Sequence, residues 1–193
     1  NYRPRAILVF ISCQHFFMAY DKALVFKQLR ERFQDIDFTD CYMIPTLRKS
    51  GVTPDQLMRM QLYSLLKLAE TDEKQINIMG SNHALERSCE MYGILEEQEL
   101  KLTSIHDCRS YEDYLALAKG RLNIIYEPIA IPAGEKIQKE LGIPYLYLPN
   151  VFRYEEIEAN YKKLEETLGN KLLLTWIPRE HAERAVAEAR ALL

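Results

Sequence analysis

"LNIIYEPIAIPAGEKIQKELGIPYLYLP", residues 122–149, reads as a strand, a short loop, a helix and a second strand. Leu122 to Tyr126 is an apolar run of the kind that a parallel sheet buries on both faces. Strand, helix and strand in so short a span make a βαβ unit, whose strands run parallel through a right-handed crossover. Glu127 follows the first strand at its carboxyl end, the edge where open α/β sheets hold ligands.

The same alternation extends outward in both directions. Upstream, Arg5 to Ser12 (RAILVFIS) is β-branched and aromatic, and Ala23 to Phe33 carries apolar residues at helical spacing. Asp37 to Met43 reads as a second strand. Thr53-Pro54 opens a helix to about Glu70, with threonine as the N-cap and proline at the first helical position. A polar link, Thr71 to Lys74, leads to a strand at Gln75 to Met79. A helix to about Gln98, a strand at Lys101 to His106 and a helix at Tyr111 to Lys119 follow, the last capped by Ser110 with Asp113 three residues on. Downstream, helices are expected over Arg153 to Leu168 and from Pro178 to Leu193.

These signals predict an α/β fold, with Rossmann-like parallel β-sheets and helices on both faces in two βα units. The polar link near residue 72 divides them. Residues 1–72 read as a partial Rossmann-like domain, completed by the helices of 153–193, and residues 73–152 as a second one. Val9, Ile11, Ile76, Ile78, Ile124 and Leu146 are expected to be nearly solvent-free in the strands.

The chain of 193 residues is 48% hydrophobic and 27% charged, an ordinary globular balance. A net charge of −3 gives no electrostatic case for nucleic acid or an anionic membrane. No apolar run reaches the roughly 20 residues of a membrane span, and Asn1-Tyr2-Arg3-Pro4 does not open a signal peptide. The lack of an initial methionine leads us to expect a fragment or a processed chain. Cys13, Cys41, Cys89 and Cys108 form no C-x-x-C pair. Such spacing fits a reducing cytoplasm better than a disulfide framework.

Nucleotide-phosphate fingerprints (G-x-G-x-x-G, G-x-x-x-x-G-K-[ST]) and zinc spacings are missing. Gly80-Ser81-Asn82, at a strand-to-helix turn, offers backbone N–H groups to an anion, although such turns are mostly structural. His106-Asp107-Cys108 has the residue types of a nucleophilic triad, but neighbours on a strand point to opposite faces. Cys13 is the more telling cysteine. It follows a buried first strand at the carboxyl edge and precedes an aromatic loop, Gln14 to Tyr20, that ends at Asp21. A thiolate there suits a soft metal or an iron–sulfur cluster, but one cysteine cannot complete such a site.

Three segments carry a resemblance: "ILVFISC" at Ile7 to Cys13, "INIMGS" at Ile76 to Ser81, and "RLNIIYEPIAIPAGEKIQKELGIPYL" at Arg121 to Leu146. In this order the sequence resembles the nitrogenase component 1 family. That family comprises the molybdenum–iron protein chains, their cofactor-scaffold relatives and the nitrogenase-like tetrapyrrole reductases. The resemblance implies several Rossmann-like domains in a chain more than twice this length, of which this is an internal piece. It also implies a cytoplasmic oxidoreductase subunit working with a homologous subunit and an ATP-dependent iron–sulfur reductase.

By the same resemblance, Cys13 occupies the place of a cysteine that bridges to an iron–sulfur cluster at a subunit interface. The other cluster cysteines would lie upstream of Asn1, so no cluster is expected on this chain alone. Asp21 matches the acidic residue of a G-D-D segment whose glycine is here Tyr20. Ser81 falls in the glycine turn, a cofactor-binding position. In the family's cofactor-binding chain the strand matching Leu122 to Tyr126 is followed by a cysteine ligand of the catalytic cluster, and here Glu127 stands in that place. A carboxylate is a poor substitute for thiolate on such a centre. A histidine-containing family segment is replaced by "SGVTPDQLMRM", Ser50 to Met60. The expected substrate is therefore not dinitrogen, with Glu127 as the candidate catalytic residue. The competing reading is a non-catalytic scaffold for cofactor assembly, or a ligand-binding α/β module.

Overall fold

A computed structural model describes residues 3–42, 51–80, 82–172 and 179–191. Its frame is a pair of parallel sheets. Strands β3 (Asp72–Met79), β4 (Lys101–Thr103), β5 (Gly120–Ile125) and β6 (Tyr145–Tyr147) form a four-stranded sheet in the order β4-β3-β5-β6. All neighbours are parallel, with Ile76 opposite Leu122 and Ile124 opposite Leu146. Strands β1 (Ala6–Ile11) and β2 (Asp37–Tyr42) form a separate parallel pair.

The four-stranded sheet is buried on both faces because helices cover both, which is why its central strands carry apolar runs. On one face Ile76, Ile78, Leu122 and Ile124 pack with Ile94 and Leu95 of α4 (Glu90–Glu96) and with Leu164 and Leu168 of α7 (Tyr154–Leu168). On the other, Met79 and Ile125 pack with Tyr63, Leu117, and Ala133 and Ile137 of α6 (Ile131–Leu141). On this second face a polar chain runs beside Met79 and Ile125. Gln75 donates to the Ala116 carbonyl and to Asn77 Oδ1, each at 2.9 Å. Asn77 donates to the Leu117 carbonyl at 2.8 Å and to Asn123 Oδ1 at 2.9 Å. It anchors the turn before β5 to the sheet.

Helix α2 (Lys22–Arg32) packs Phe26 and Leu29 on Ile7, Val9 and Ile11 of β1. Helix α3 (Pro54–Leu62) lies against β2 and also against α6. It begins as the sequence predicts. Thr53 accepts from the Gln56 N–H and donates its own N–H to Gln56 Oε1 at 2.9 Å, a capping box ahead of Pro54.

Several expectations change. Val9 and Leu146 are half-buried, while Ile11, Ile76, Ile78 and Ile124 are buried as expected. Among the described residues Val9 belongs to a two-stranded sheet and Leu146 to an edge strand, so neither is flanked by described strands on both sides. The helix expected to reach Glu70 stops at Leu62, where the Ser64 N–H and hydroxyl both bond the Gln61 carbonyl. The helix expected to follow the Gly80-Ser81-Asn82 turn and run to about Gln98 is confined to Glu90–Glu96, and its Cys89 cap makes no side-chain bond. The strand at Lys101 ends at Thr103 because Asp107 accepts the Ser104 N–H and hydroxyl and curls residues 105–107 into a 3₁₀ turn. Residues after Cys13, read as a loop, begin with a short helix, α1 (Cys13–Phe17). Helix α7, grouped with the first unit in the sequence reading, puts Tyr161, Leu164 and Leu168 into the core of the four-stranded sheet. The last helix, α8, covers Arg179–Ala191.

Candidate functional site

The chain leaves β3 toward β4 on one side and continues from β5 to β6 on the other. The carboxyl ends of β3 and β5 therefore flank a topological switch point, where open parallel sheets form their ligand crevice. Gly80 follows β3, and Tyr126 and Glu127 follow β5. The approach is close. A Cβ built on Gly80 would lie 2.6–2.8 Å from three carbons of the Tyr126 ring. That ring rests on the glycine backbone, and its hydroxyl reaches the His83 carbonyl at 3.5 Å. Gly80→Ala is expected to push the Tyr126 ring aside and cost roughly 1–3 kcal/mol, as overpacked sites do. Urea unfolding of Gly80→Ala, Tyr126→Ala and the double variant checks this. The double variant should be less destabilised than the sum of the two, because Tyr126→Ala removes the clash.

Glu127 is half-buried and precedes the 3₁₀ turn Pro128–Ala130. Its carbonyl accepts the Ala130 N–H at 3.1 Å, while its side chain makes no capping bond to that turn. Ser81 lies outside the described residues. Cys13 is half-buried at the start of α1, after the carboxyl end of β1. Cys13 and Glu127 thus stand at the carboxyl ends of strands in two different sheets. Next to Cys13, the Ser12 N–H donates to His15 Nδ1 at 3.2 Å, and the Ser12 hydroxyl lies 3.0 Å from the same nitrogen. A backbone N–H can only donate, so Nδ1 is the acceptor and a neutral His15 carries its proton on Nε2. Asp21 caps α2, accepting the Leu24 N–H at 3.0 Å.

His106, Asp107 and Cys108 form no nucleophilic triad. Asp107 is engaged by Ser104 and by Arg87, the latter at 2.6 Å, and the Cys108 thiol points at the Ser104 carbonyl at 3.6 Å. Burial, with Asp113 and Asp107 nearby, pushes the Cys108 pKa up to about 11, so at neutral pH it is a thiol.

Two features of this edge escaped the sequence reading. Arg59, buried on α3, donates to Asn82 Oδ1 and ties that helix to the turn after Gly80. In the sequence nothing distinguishes it from the other polar residues of that helix. Second, a cavity of about 140 Å³ opens beside Tyr126, lined by Cys89, Glu90, Asn150, Asn160 and Tyr161 among apolar residues. Glu90 and Tyr161 lie 71 positions apart, and no local pattern links them.

Among the described residues, no group of three or more His, Cys, Asp or Glu side chains is placed to hold a metal ion. Cys13 offers one thiolate where iron–sulfur clusters take several. These residues do not complete a cluster site. No described helix is long and apolar enough to cross a membrane.

No curated protein matches the chain. Among solved structures it is similar to "Nitrogenase Cp1 at pH 6.5", with 14% identity and a TM-score of 0.65 over 90% of this chain and 43% of that one. It is also similar to "Nitrogenase Cp1 at pH 5", with 17% identity and a TM-score of 0.65 over 86% of this chain and 34% of that one. The chain thus spans less than half the length of these structures, and the likeness concerns the parallel α/β fold. The family model for nitrogenase component 1 type oxidoreductases matches residues 1–193. With parallel sheets, a crevice at the switch point and a full-length family match, this chain belongs to the nitrogenase component 1 type oxidoreductases.

Proposed function

We propose that the chain is part of a nitrogenase-like oxidoreductase subunit taking part in iron–sulfur-mediated, ATP-linked electron transfer to a substrate other than dinitrogen. Cys13 carries this reading: it is a half-buried cysteine at the carboxyl end of a family-matched strand. In the full-length complex Cys13 would supply one ligand to an iron–sulfur cluster, with the others coming from a homologous subunit or other parts of the protein. Electrons would come from an ATP-dependent iron–sulfur reductase. Glu127, at the switch point, would position or protonate the substrate, and Ser81 would take part in cofactor binding. The domain division at residue 72 is part of the same proposal.

One observation favours a second reading. Glu127 stands where the family resemblance places a thiolate ligand. A cofactor-assembly scaffold, or a ligand-binding module without a cluster, would have the same fold. The two readings separate on the anaerobically purified full-length protein. The oxidoreductase reading expects a brown protein with stoichiometric iron, and Cys13→Ala should lower the iron content and bleach the visible absorbance. A colourless, iron-free protein, or an unchanged spectrum in Cys13→Ala, would favour the second reading.

A further inference from the structure

The cavity beside Tyr126 combines an apolar wall with a single carboxylate. Its volume is about 140 Å³. A void of roughly 150 Å³ accommodates benzene, so the occupant has about six heavy atoms. Ile78, Leu148 and Ile157 supply an apolar wall, and Glu90 supplies a carboxylate. That carboxylate is held from two sides. Its Oε1 accepts the Tyr161 hydroxyl at 3.1 Å, and its Oε2 faces the Cys89 thiol at 3.7 Å. Burial and the Glu90 charge raise the pKa of both the Tyr161 hydroxyl and the Cys89 thiol, so both remain protonated donors. Two neutral donors leave part of the carboxylate's acceptor capacity unused. The lining contains no Lys, Arg or His among the described residues, and no described ion pair involves Glu90. Asn160 is turned to the Pro149 carbonyl at 2.9 Å.

A negative charge fixed in place, without a cation, against an apolar wall excludes an anion. A hard divalent cation is also disfavoured, since calcium takes six to eight oxygen ligands and magnesium about six. A small organic cation satisfies both halves of the cavity, because charge-assisted hydrogen bonds are about twice as strong as neutral ones. We propose that this cavity binds a small primary ammonium ion, its nitrogen hydrogen-bonded to Glu90 and its hydrocarbon body against Ile78, Leu148 and Ile157. The inference does not depend on the electron-transfer reading, and its test is independent of iron content.

The test is a calorimetric titration of the full-length protein with n-butylammonium, with 1-butanol and n-butyrate as controls. The expected result is saturable one-site binding of n-butylammonium that weakens about tenfold or more in Glu90→Gln, as loss of one charge-assisted bond implies. Glu90→Gln keeps an acceptor for the Tyr161 hydroxyl, so the surroundings stay folded. Ile157→Phe, which fills the apolar side and leaves the carboxylate, should weaken binding as well. Absence of saturable binding, equal affinity in Glu90→Gln, unchanged affinity in Ile157→Phe, or n-butyrate binding as tightly would each overturn the proposal.

Discussion

Replacing Asn77 by alanine is expected to lower the unfolding free energy by about 2–4 kcal/mol, with a lower urea midpoint at unchanged slope. Asn77 is only 4% exposed and sits in the centre of β3, side by side with Asn123 of β5. Its amide orientation is dictated from outside. The Leu117 carbonyl can only accept, so the Asn77 nitrogen must face it, and the same nitrogen then faces Asn123 Oδ1. Alanine would leave the Leu117 carbonyl, one side of the Gln75 amide and Asn123 Oδ1 without their shared partner in a dry interior. Unmade buried bonds cost more than made ones contribute.

An isosteric change sharpens the test. Asn77→Asp keeps the shape but turns a carboxylate oxygen, which can only accept, toward two acceptors. A carboxylate held against carbonyls, without a cation, is disfavoured, so its folded pKa lies above the unfolded value of about 3.9. The protonated acid restores one donor. Stability of Asn77→Asp is therefore greatest below about pH 4 and falls as pH rises through the raised folded pKa. Asn77→Ala should lack this added pH dependence. An Asn77→Ala protein within about 0.5 kcal/mol of wild type would show that the network is not buried.

Leu164→Ala is the second large effect, expected at roughly 2–5 kcal/mol from lost burial plus the void left behind. Leu164 has no exposed surface and packs into the same cluster as Ile76 and Ile124. A cost of that size means that α7 folds with the four-stranded sheet as one cooperative unit. Phe10→Ala is the contrast. Phe10 is equally apolar but 71% exposed, and its loss should cost no more than about 0.5 kcal/mol. If Leu164→Ala were equally mild, α7 would not be docked on this sheet.

What the sequence alone determined about this protein is everything that local periodicity and local chemistry control. The run Leu122 to Tyr126, the helix after it and the strand at Tyr145 are all present, because a doubly covered parallel strand must be apolar throughout and a surface helix apolar on one face. The caps at Thr53 and Ser110 are where the sequence places them, since a capping box needs only residues three apart. The family was legible in three short segments for the same reason: each is one strand with the turn that leaves it. The places of Cys13 and Glu127 at strand ends followed as well.

Only the tertiary structure decided how those pieces meet. Strand order sets Gly80 under the Tyr126 ring, and no spacing in sequence announces a contact between residues 46 positions apart. Helix α7 carries an amphipathic pattern that would suit either sheet, and the apolar face of the four-stranded sheet is what receives it. Arg59 reads as a surface charge until α3 is laid beside the turn at Asn82. Glu90 reads as one more charge within the helix expected to run to Gln98 until Tyr161 arrives from α7 to hold it. Periodicity reports which face of an element is apolar; which other face covers it depends on shape and on polar groups finding partners, and those are properties of the assembled core.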